Sequence, residues 1–366
     1  MIKKIRIENY KSLKDVEIEL SKFNVLIGPN AGGKSNLMDS LAFLSEIAQG
    51  EVSGAFNLRG GFERVVFGGK GGKINFSLEF TLEGVLGFYF ISFGKDGIER
   101  EKLTVGENVV IERMSRDKTK LLRDDDTFIE VSSSWNVSSV HAYGRERMSS
   151  SLVLQKFHNY LSSWRLYQPI TPEMRETFRA RKDFNLERNG ENLAQVLLSL
   201  YTERPKVFRR IEELLKQGIP QIGELLTPLT EDGRTFIAFR EKGFEQLFDY
   251  HQISDGTLDL LFYITAVAFP EPKLICFEEP ENFIHARLLK LVVEVLKRSE
   301  AQIILSTHSP YLINLIEPED VIVVEKEGNE TKVSRIKDPK ELKARLADLE
   351  LGLGEYYYSG ALGGIP

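Results

Sequence analysis

The sequence predicts an α/β fold with a parallel core sheet, an antiparallel β subdomain and an inserted, mainly helical lobe. Three observations carry this. Residues 23–44 read as an apolar run, Phe23-Asn24-Val25-Leu26-Ile27, then a glycine-rich turn, then a helical face of Leu37, Met38, Leu41, Ala42 and Leu44. Residues 274–305 alternate a short apolar run, a helical segment over 283–298 and a second apolar run, as buried parallel strands joined by a helix do. Residues 73–82, 86–93 and 108–113 alternate apolar with polar, the period of half-buried antiparallel strands.

The bulk properties narrow the class. The chain has 366 residues, 42% of them hydrophobic and 28% charged, which is an ordinary globular composition. A formal charge of −6 argues against a globally basic nucleic-acid binder. The single cysteine, Cys276, excludes a disulfide scaffold, and the five histidines have no metal-ligand spacing. The N-terminus, Met1-Ile2-Lys3-Lys4-Ile5, alternates like a strand rather than a signal peptide. The longest apolar stretch, 258–269, is interrupted by Asp259 and is too short to span a bilayer. A cytoplasmic protein with no membrane association is expected.

Residues 2–7 and 16–20 are expected to pair as strands across Asn9-Tyr10-Lys11-Ser12. Gly60-Gly61 and Gly68-Gly69 bracket a segment that reads as strand-like. From Ser149 to Gly218 the pattern turns helical: Leu152, Leu154, Phe157, Tyr160, Leu161 and Trp164, then Leu193, Val196, Leu197 and Leu200, then Val207, Ile211, Leu214 and Leu215. No sustained heptad repeat appears, so no long coiled coil is expected. A strand over 235–240, a helix from Ser254 to Phe269 ended by Pro270 and Pro272, a strand pair at 321–325 and 331–336, and a helix over 339–349 complete the chain. The domain reading is 1–145 as an N-terminal lobe, 146–250 as the insertion, 251–338 as a C-terminal lobe, and 339–366 as a terminal helix and tail.

The turn after residue 27 reads Gly28-Pro29-Asn30-Ala31-Gly32-Gly33-Lys34-Ser35, the G-x-x-x-x-G-K-S spacing of a Walker A phosphate loop. Glycines let backbone amides turn inward around a phosphate chain, and the following helix adds its positive end. Any helix can start after a glycine turn. Strand, spacing, Lys-Ser and helix together single out phosphate binding, with Lys34 on the β- and γ-phosphates and Ser35 on Mg²⁺. Leu274-Ile275-Cys276-Phe277-Glu278-Glu279-Pro280 is an apolar strand ending in two carboxylates, a Walker B pattern. One carboxylate suits Mg²⁺; the next suits orienting or deprotonating the attacking water. One β-α-β unit later, Ser306-Thr307-His308-Ser309-Pro310 ends a buried strand with a histidine able to donate to a γ-phosphate. Ser254-Asp255-Gly256-Thr257 opens a helix, either as an ordinary N-cap or as a second anion site used across a head-to-tail dimer.

Together these motifs resemble the ATP-binding-cassette ATPases of the RecF/SMC/OLD type, most of all the stand-alone "AAA family ATPase" proteins of that superfamily. The likeness covers residues 1–82 and 252–336 and includes Ile5-x-Ile7-x-Asn9-Tyr10-Lys11-Ser12-Leu13, Glu278-Glu279-Pro280-Glu281-Asn282 and the tail Ser359-Gly360-Ala361-Leu362-Gly363-Gly364. It implies a P-loop NTPase fold of the ABC-ATPase head type. It implies ATP and Mg²⁺ as ligands, held by Gly28, Asn30, Gly32, Gly33, Lys34, Ser35 and Asn36, with Lys11 and Ser12 as further nucleotide contacts. It makes Glu278 and Ser35 the metal residues and Glu279, His308 and Lys34 the catalytic ones, with Ser254 and Gly256 as the signature pair. The signature departs from the Ser-Gly-Gly-Gln type of transporters, the first Walker B acid is Glu278 rather than aspartate, and no Toprim-like acidic cluster follows His308.

The resemblance implies an ATP-dependent homodimer acting in DNA repair, DNA maintenance or anti-phage defence, with an effector protein as a further partner. Residues 145–182 add a local observation. Eight basic residues (Arg145, Arg147, Lys156, Arg165, Arg175, Arg179, Arg181, Lys182) face three acidic ones (Glu146, Glu173, Glu176), interleaved with Trp164, Tyr167 and Phe178. That pattern reads either as a DNA-binding lobe or as a solvated helical face over core aromatics. The competing functions are an ATP-binding transporter subunit and a P-loop kinase for a small metabolite. The large insertion and the signature disfavour the first; a kinase has no need of Glu279, His308 and a signature helix together.

Overall fold

The computed structural model describes residues 1–145, 151–269, 271–282 and 284–362. Glu146, Arg147, Ser149, Pro270, Phe283, Gly363 and Gly364 of the reading above lie outside the described residues. The chain forms two compact units, Met1–Arg165 with Glu317–Pro366, and Leu166–Ile316. This partition differs from the four segments expected. The break falls after Arg165 rather than at 145, and residues 251–316 share a unit with most of the insertion.

In the first unit, the described residues build an eight-stranded antiparallel sheet. Its strands are β1 (Ile2–Tyr10), β2 (Leu13–Glu19), β4 (Ile74–Leu82), β5 (Val85–Gly94), β6 (Gly97–Val105), β7 (Asn108–Arg113), β8 (Lys118–Leu122) and β9 (Phe128–Ser132), in the order β2-β1-β4-β5-β6-β7-β8-β9. Strict alternation sets the register of β1, with Ile5 and Ile7 buried and Arg6 outward beside Asp15. β6, β8 and β9 were not expected. β6 hides because Glu101 faces the core, where it accepts from Tyr89 and from the amide of Ser139. β8 hides because Thr119 takes an inward position. The segment between Gly61 and Gly68, expected as strand, is instead a single helical turn, Phe62–Val65. Gly61, at φ 96°, turns the chain; Val66 forms one isolated bridge to Tyr10, and the Val65 carbonyl accepts from the Lys11 amide at 2.6 Å.

The same unit holds β3 (Phe23–Ile27), buried along its whole length. It runs parallel to Val321–Glu327, which turns back antiparallel as Glu330–Arg335. A fully covered strand needs no polar face, hence its apolar run, broken only by the buried Asn24, which donates to Ser21 O at 2.8 Å and accepts from Arg335. Helix α1 (Lys34–Ile47) follows the glycine-rich turn and seats Phe43 among the rings of Tyr10, Phe56, Phe76 and Phe93, the last 5.4 Å away edge-on. Burying one such ring contributes about 1.5–3 kcal/mol, so the helix is fixed to the sheet that follows it in sequence.

In the second unit, strands Leu274–Glu278 and Gln302–Ser306 pair in parallel, from Leu274 opposite Gln302 to Glu278 opposite Ser306. Helix Ala286–Lys297 links them and Asp255–Ala268 precedes them. Helices Leu193–Glu203 and Pro205–Gly218 match the helical expectation. Residues 219–249 correct it: Ile222–Leu226, Ala238–Glu241 and Leu247–Asp249 form a three-stranded antiparallel sheet where one strand was expected. Among the described residues no helix exceeds 14 residues, so none forms a long coiled coil, and none is long and apolar enough to cross a membrane.

Candidate functional site

The candidate residues fall in both units. In the first, β3 ends at Ile27 and the chain turns through Gly28 at φ 152°, Ala31 at φ 61° and Gly33 at φ 112° into α1. Two of these positions tolerate nothing but glycine. A Cβ on Gly28 would sit 1.9 Å from the Val324 carbonyl oxygen, and one on Gly33 would sit 2.1 Å from Thr331 Oγ1. The hairpin 321–335 therefore backs the loop. Thr331 Oγ1 donates to the Gly32 carbonyl at 2.9 Å and lies 2.7 Å from Ser12 Oγ, which accepts from Asn36 Nδ2 at 2.7 Å.

Gly33 is the N-cap of α1 and supplies no side-chain acceptor to the first-turn amides. Ser35 is exposed at that end, while Lys34 is buried and curls back to the carbonyls of Gly28 and Pro29 at 2.9 and 3.0 Å. An uncapped helix start, a lysine inside the loop and an outward hydroxyl fit a triphosphate with Mg²⁺. Lys11 pairs with Asp39 on α1 at 2.6 Å, and Asp39 also takes Arg59 and the Tyr10 hydroxyl. Those cations hold the Asp39 carboxyl below its ordinary value against the opposing effect of burial.

In the second unit, Glu278 ends its strand opposite Ser306, and Glu279 turns sharply away at φ 45°. Its amide donates to Ser306 O at 3.0 Å. Its carboxylate lies 3.5 Å from His308 Nε2 through Oε1, and Oε2 accepts from Asn282 Nδ2 at 3.2 Å. Glu279 and His308, expected from separate motifs, are thus brought together. Sequence reasoning gave Glu281 and Asn282 no role. Glu281 Oε1 accepts from Thr307 Oγ1 at 2.6 Å and from the amides of His308 and Ser309 at 2.9 and 3.2 Å. Burial pushes the Glu281 carboxyl up, opposed by those donors, and its Oε2 is buried with no hydrogen-bond partner. The run of acids in 278–281 was visible; which of them reach the histidine loop was not.

Ser254 caps helix Asp255–Ala268, accepting from the Thr257 amide at 3.3 Å, with its hydroxyl 2.8 Å from Thr257 Oγ1. Arg175 fastens this turn, donating to Tyr250 O, to Ile253 O at 2.7 Å and to Asp255. One turn on, Asp259 is 2% exposed and accepts from Thr171 Oγ1 at 3.2 Å; burial raises its carboxyl to about 7.

The basic segment does not form a stacking surface. Trp164 and Tyr167 are core residues, Tyr167 between Phe262 and Phe277. Lys156 pairs with Glu83, Arg181 with Asp183 and Lys182 with Glu203, while Arg165 and Arg175 bind backbone carbonyls. The segment is also divided between the units. Among the described residues, Lys156, Arg175, Arg181 and Lys182 each have an acidic partner, and base stacking on Trp164 or Tyr167 is ruled out by their burial.

The phosphate loop, the strand-end carboxylates and the following histidine define a P-loop ATPase of the ABC/SMC-like class. Residues 23–314 match the family described as "AAA domain, putative AbiEii toxin, Type IV TA system", and the chain belongs to that family. Two solved structures show the same fold. An Smc head bound to the C-winged helix domain of ScpA aligns with a TM-score of 0.61 at 14% identity, over 92% of this chain and 98% of that one. An Smc head with an extended coiled coil, bound to the C-terminal domain of ScpA derived from Pyrococcus furiosus, aligns at 0.59 and 15% identity, over 95% and 99%.

Proposed function

We propose that the chain hydrolyses ATP with Mg²⁺ and that bound ATP drives two copies together. The observation that carries this reading is the Glu279 carboxylate, set at the end of a parallel strand with His308 on one oxygen and Asn282 on the other. That is the arrangement of a base held ready beside a phosphoryl sensor. In this reading Lys34 would exchange the Gly28 and Pro29 carbonyls for the β- and γ-phosphate oxygens, and Ser35 and Glu278 would hold the metal. Mg²⁺, when bound, neutralises charge that develops on the transferring group. Glu279 takes the proton of the attacking water, and His308 Nε2 keeps that carboxylate oriented. Gly28, Asn30, Gly32, Gly33 and the first turn of α1 bind the phosphates; Ser254 and Gly256 serve the nucleotide of a second copy.

A role in DNA maintenance or in defence against foreign DNA belongs to this reading through the resemblance of the sequence motifs to RecF/SMC/OLD-type ATPases. Phosphate release, measured with and without Mg²⁺ and with single-stranded DNA, duplex DNA or RNA, tests the reading. Hydrolysis that requires Mg²⁺ and Lys34 is expected, with stimulation by the nucleic acid the protein acts on. No phosphate release under any condition, or release only as a phosphorylated small-molecule product, would refute it.

A further inference from the structure

We infer that Glu281 is a positioning residue for hydrolysis, holding the His308 loop so that the imidazole stays on Glu279. The inference rests on the ATPase reading above and extends it to a residue with no assigned role. One oxygen, Glu281 Oε1, gathers three donors from consecutive residues: the Thr307 hydroxyl at 2.6 Å, the His308 amide at 2.9 Å and the Ser309 amide at 3.2 Å. Charge-assisted hydrogen bonds of this kind are roughly twice as strong as neutral ones. The other oxygen, Oε2, is buried without a partner, a costly placement that the Oε1 cluster must outweigh.

The geometry shows what the cluster fixes. Thr307 is fully buried and Ser306 nearly so, and Ser309 caps the next helical turn through Leu312. The His308 backbone is therefore pinned on both sides, and the freedom left to its ring is side-chain rotation. Glu279 and Glu281 lie on one turn, which Asn282 closes by donating its amide to the Glu279 carbonyl at 3.1 Å. Base loop and histidine loop thus share one rigid link. Glu281 bonds to Thr307, His308 and Ser309 and, in this proposal, acts through His308.

The test compares five variants of the full chain by steady-state phosphate release and by titration with a fluorescent ATP analogue. Glu281→Ala removes the acceptor and should lower kcat by about 10- to 100-fold, as loss of an orienting partner does, with analogue affinity unchanged. Glu281→Gln keeps a carbonyl oxygen at Oε1 and should retain most of kcat. Glu281→Ala combined with His308→Ala should be no slower than His308→Ala alone, because residues acting as one unit are not additive. Thr307→Val removes a single donor and should lower kcat in the same direction by a smaller factor, which decides the matter if Glu281→Ala fails to fold. Wild-type kcat in Glu281→Ala or in Thr307→Val would overturn the inference. So would a Gln variant as slow as Ala, or a double variant slowed by the product of the two single effects. An inactive wild type would instead sink the ATPase reading; the His308 ring-proton shift, read by NMR without turnover, then still reports whether Glu281→Ala releases the ring, and an unchanged shift overturns the positioning role.

Discussion

Gly33→Ala tests whether the hairpin behind the phosphate loop sets its shape. Two costs add. Alanine at φ 112° is strained by about 1–2 kcal/mol relative to glycine. Its Cβ also meets Thr331 Oγ1 at 2.1 Å and Cγ2 at 2.8 Å. Thr331 is 1% exposed and tied to Gly32 and Ser12, so it cannot swing away, and overpacking of this kind costs about 1–3 kcal/mol. If the loop yields by about 2 kcal/mol of its binding geometry, nucleotide affinity falls roughly 30-fold. Adding Thr331→Ala removes both clashing atoms and leaves only the contact at 3.0 Å, at the cost of a hydrogen bond of about 1 kcal/mol. The double variant should therefore bind a fluorescent ATP analogue more tightly than Gly33→Ala, although Thr331→Ala alone weakens binding. Gly28→Ala should admit no such rescue, because its obstacle is a backbone carbonyl at 1.9 Å. Wild-type affinity in Gly33→Ala, or a double variant no better than the single, would refute the reasoning.

Lys34→Ala should weaken binding of the same analogue severely, since it deletes the buried cation inside the loop. Glu279→Gln should keep ATP binding and lose about 100-fold or more of the hydrolysis rate, while Glu278→Gln should instead raise the Mg²⁺ needed; phosphate-release assays over a Mg²⁺ series check both. Glu279→Gln should also accumulate a dimer with ATP in sedimentation, and Ser254→Arg added to it should leave monomers. Asp259 should make stability pH-dependent. Its folded carboxyl, at about 7, lies above the unfolded value of about 3.9, so its contribution is full below about pH 4 and lost as pH rises through about 7, with Asp255 and Arg175 nearby acting in opposite senses. Thermal melts from pH 5 to 8 should show that decline, and Asp259→Asn should flatten it.

The parts of this fold that were legible in sequence are those whose context is local. β3, its loop and α1 lie within one short run of chain, so the strand burial, the turn and the amphipathic face could be read together. The paired parallel strands were legible because burial on both faces forces a continuous apolar run. Legibility failed where a long-range partner decides. Glu101 reads as a surface residue of a strand until Tyr89 and the Ser139 amide claim it. Thr331 reads as one residue of a terminal strand, yet it shapes a loop 299 positions away. The charges of 145–182 were counted correctly, but a count does not see that Glu83, Asp183 and Glu203 neutralise Lys156, Arg181 and Lys182.

The candidate base shows the same divide at a single residue. That Glu279 follows an apolar strand and a first acid was enough to nominate it. Its backbone was not readable, because a residue before proline is pushed toward extended conformations, whereas Glu279 precedes Pro280 and adopts φ 45°. Such a residue stores strain of order 1–3 kcal/mol and persists only where its surroundings over-determine it. Here they do: the Glu279 amide is fixed to Ser306 O and its carbonyl takes the Asn282 amide. An extended backbone at Glu279 would continue the line of the strand; the left-handed turn redirects the chain, and in this conformation the carboxylate lies beside His308. The strained turn thus goes with the placement that the proposed base requires, and the acid that sequence alone nominates owes its position to neighbours that sequence alone does not reveal.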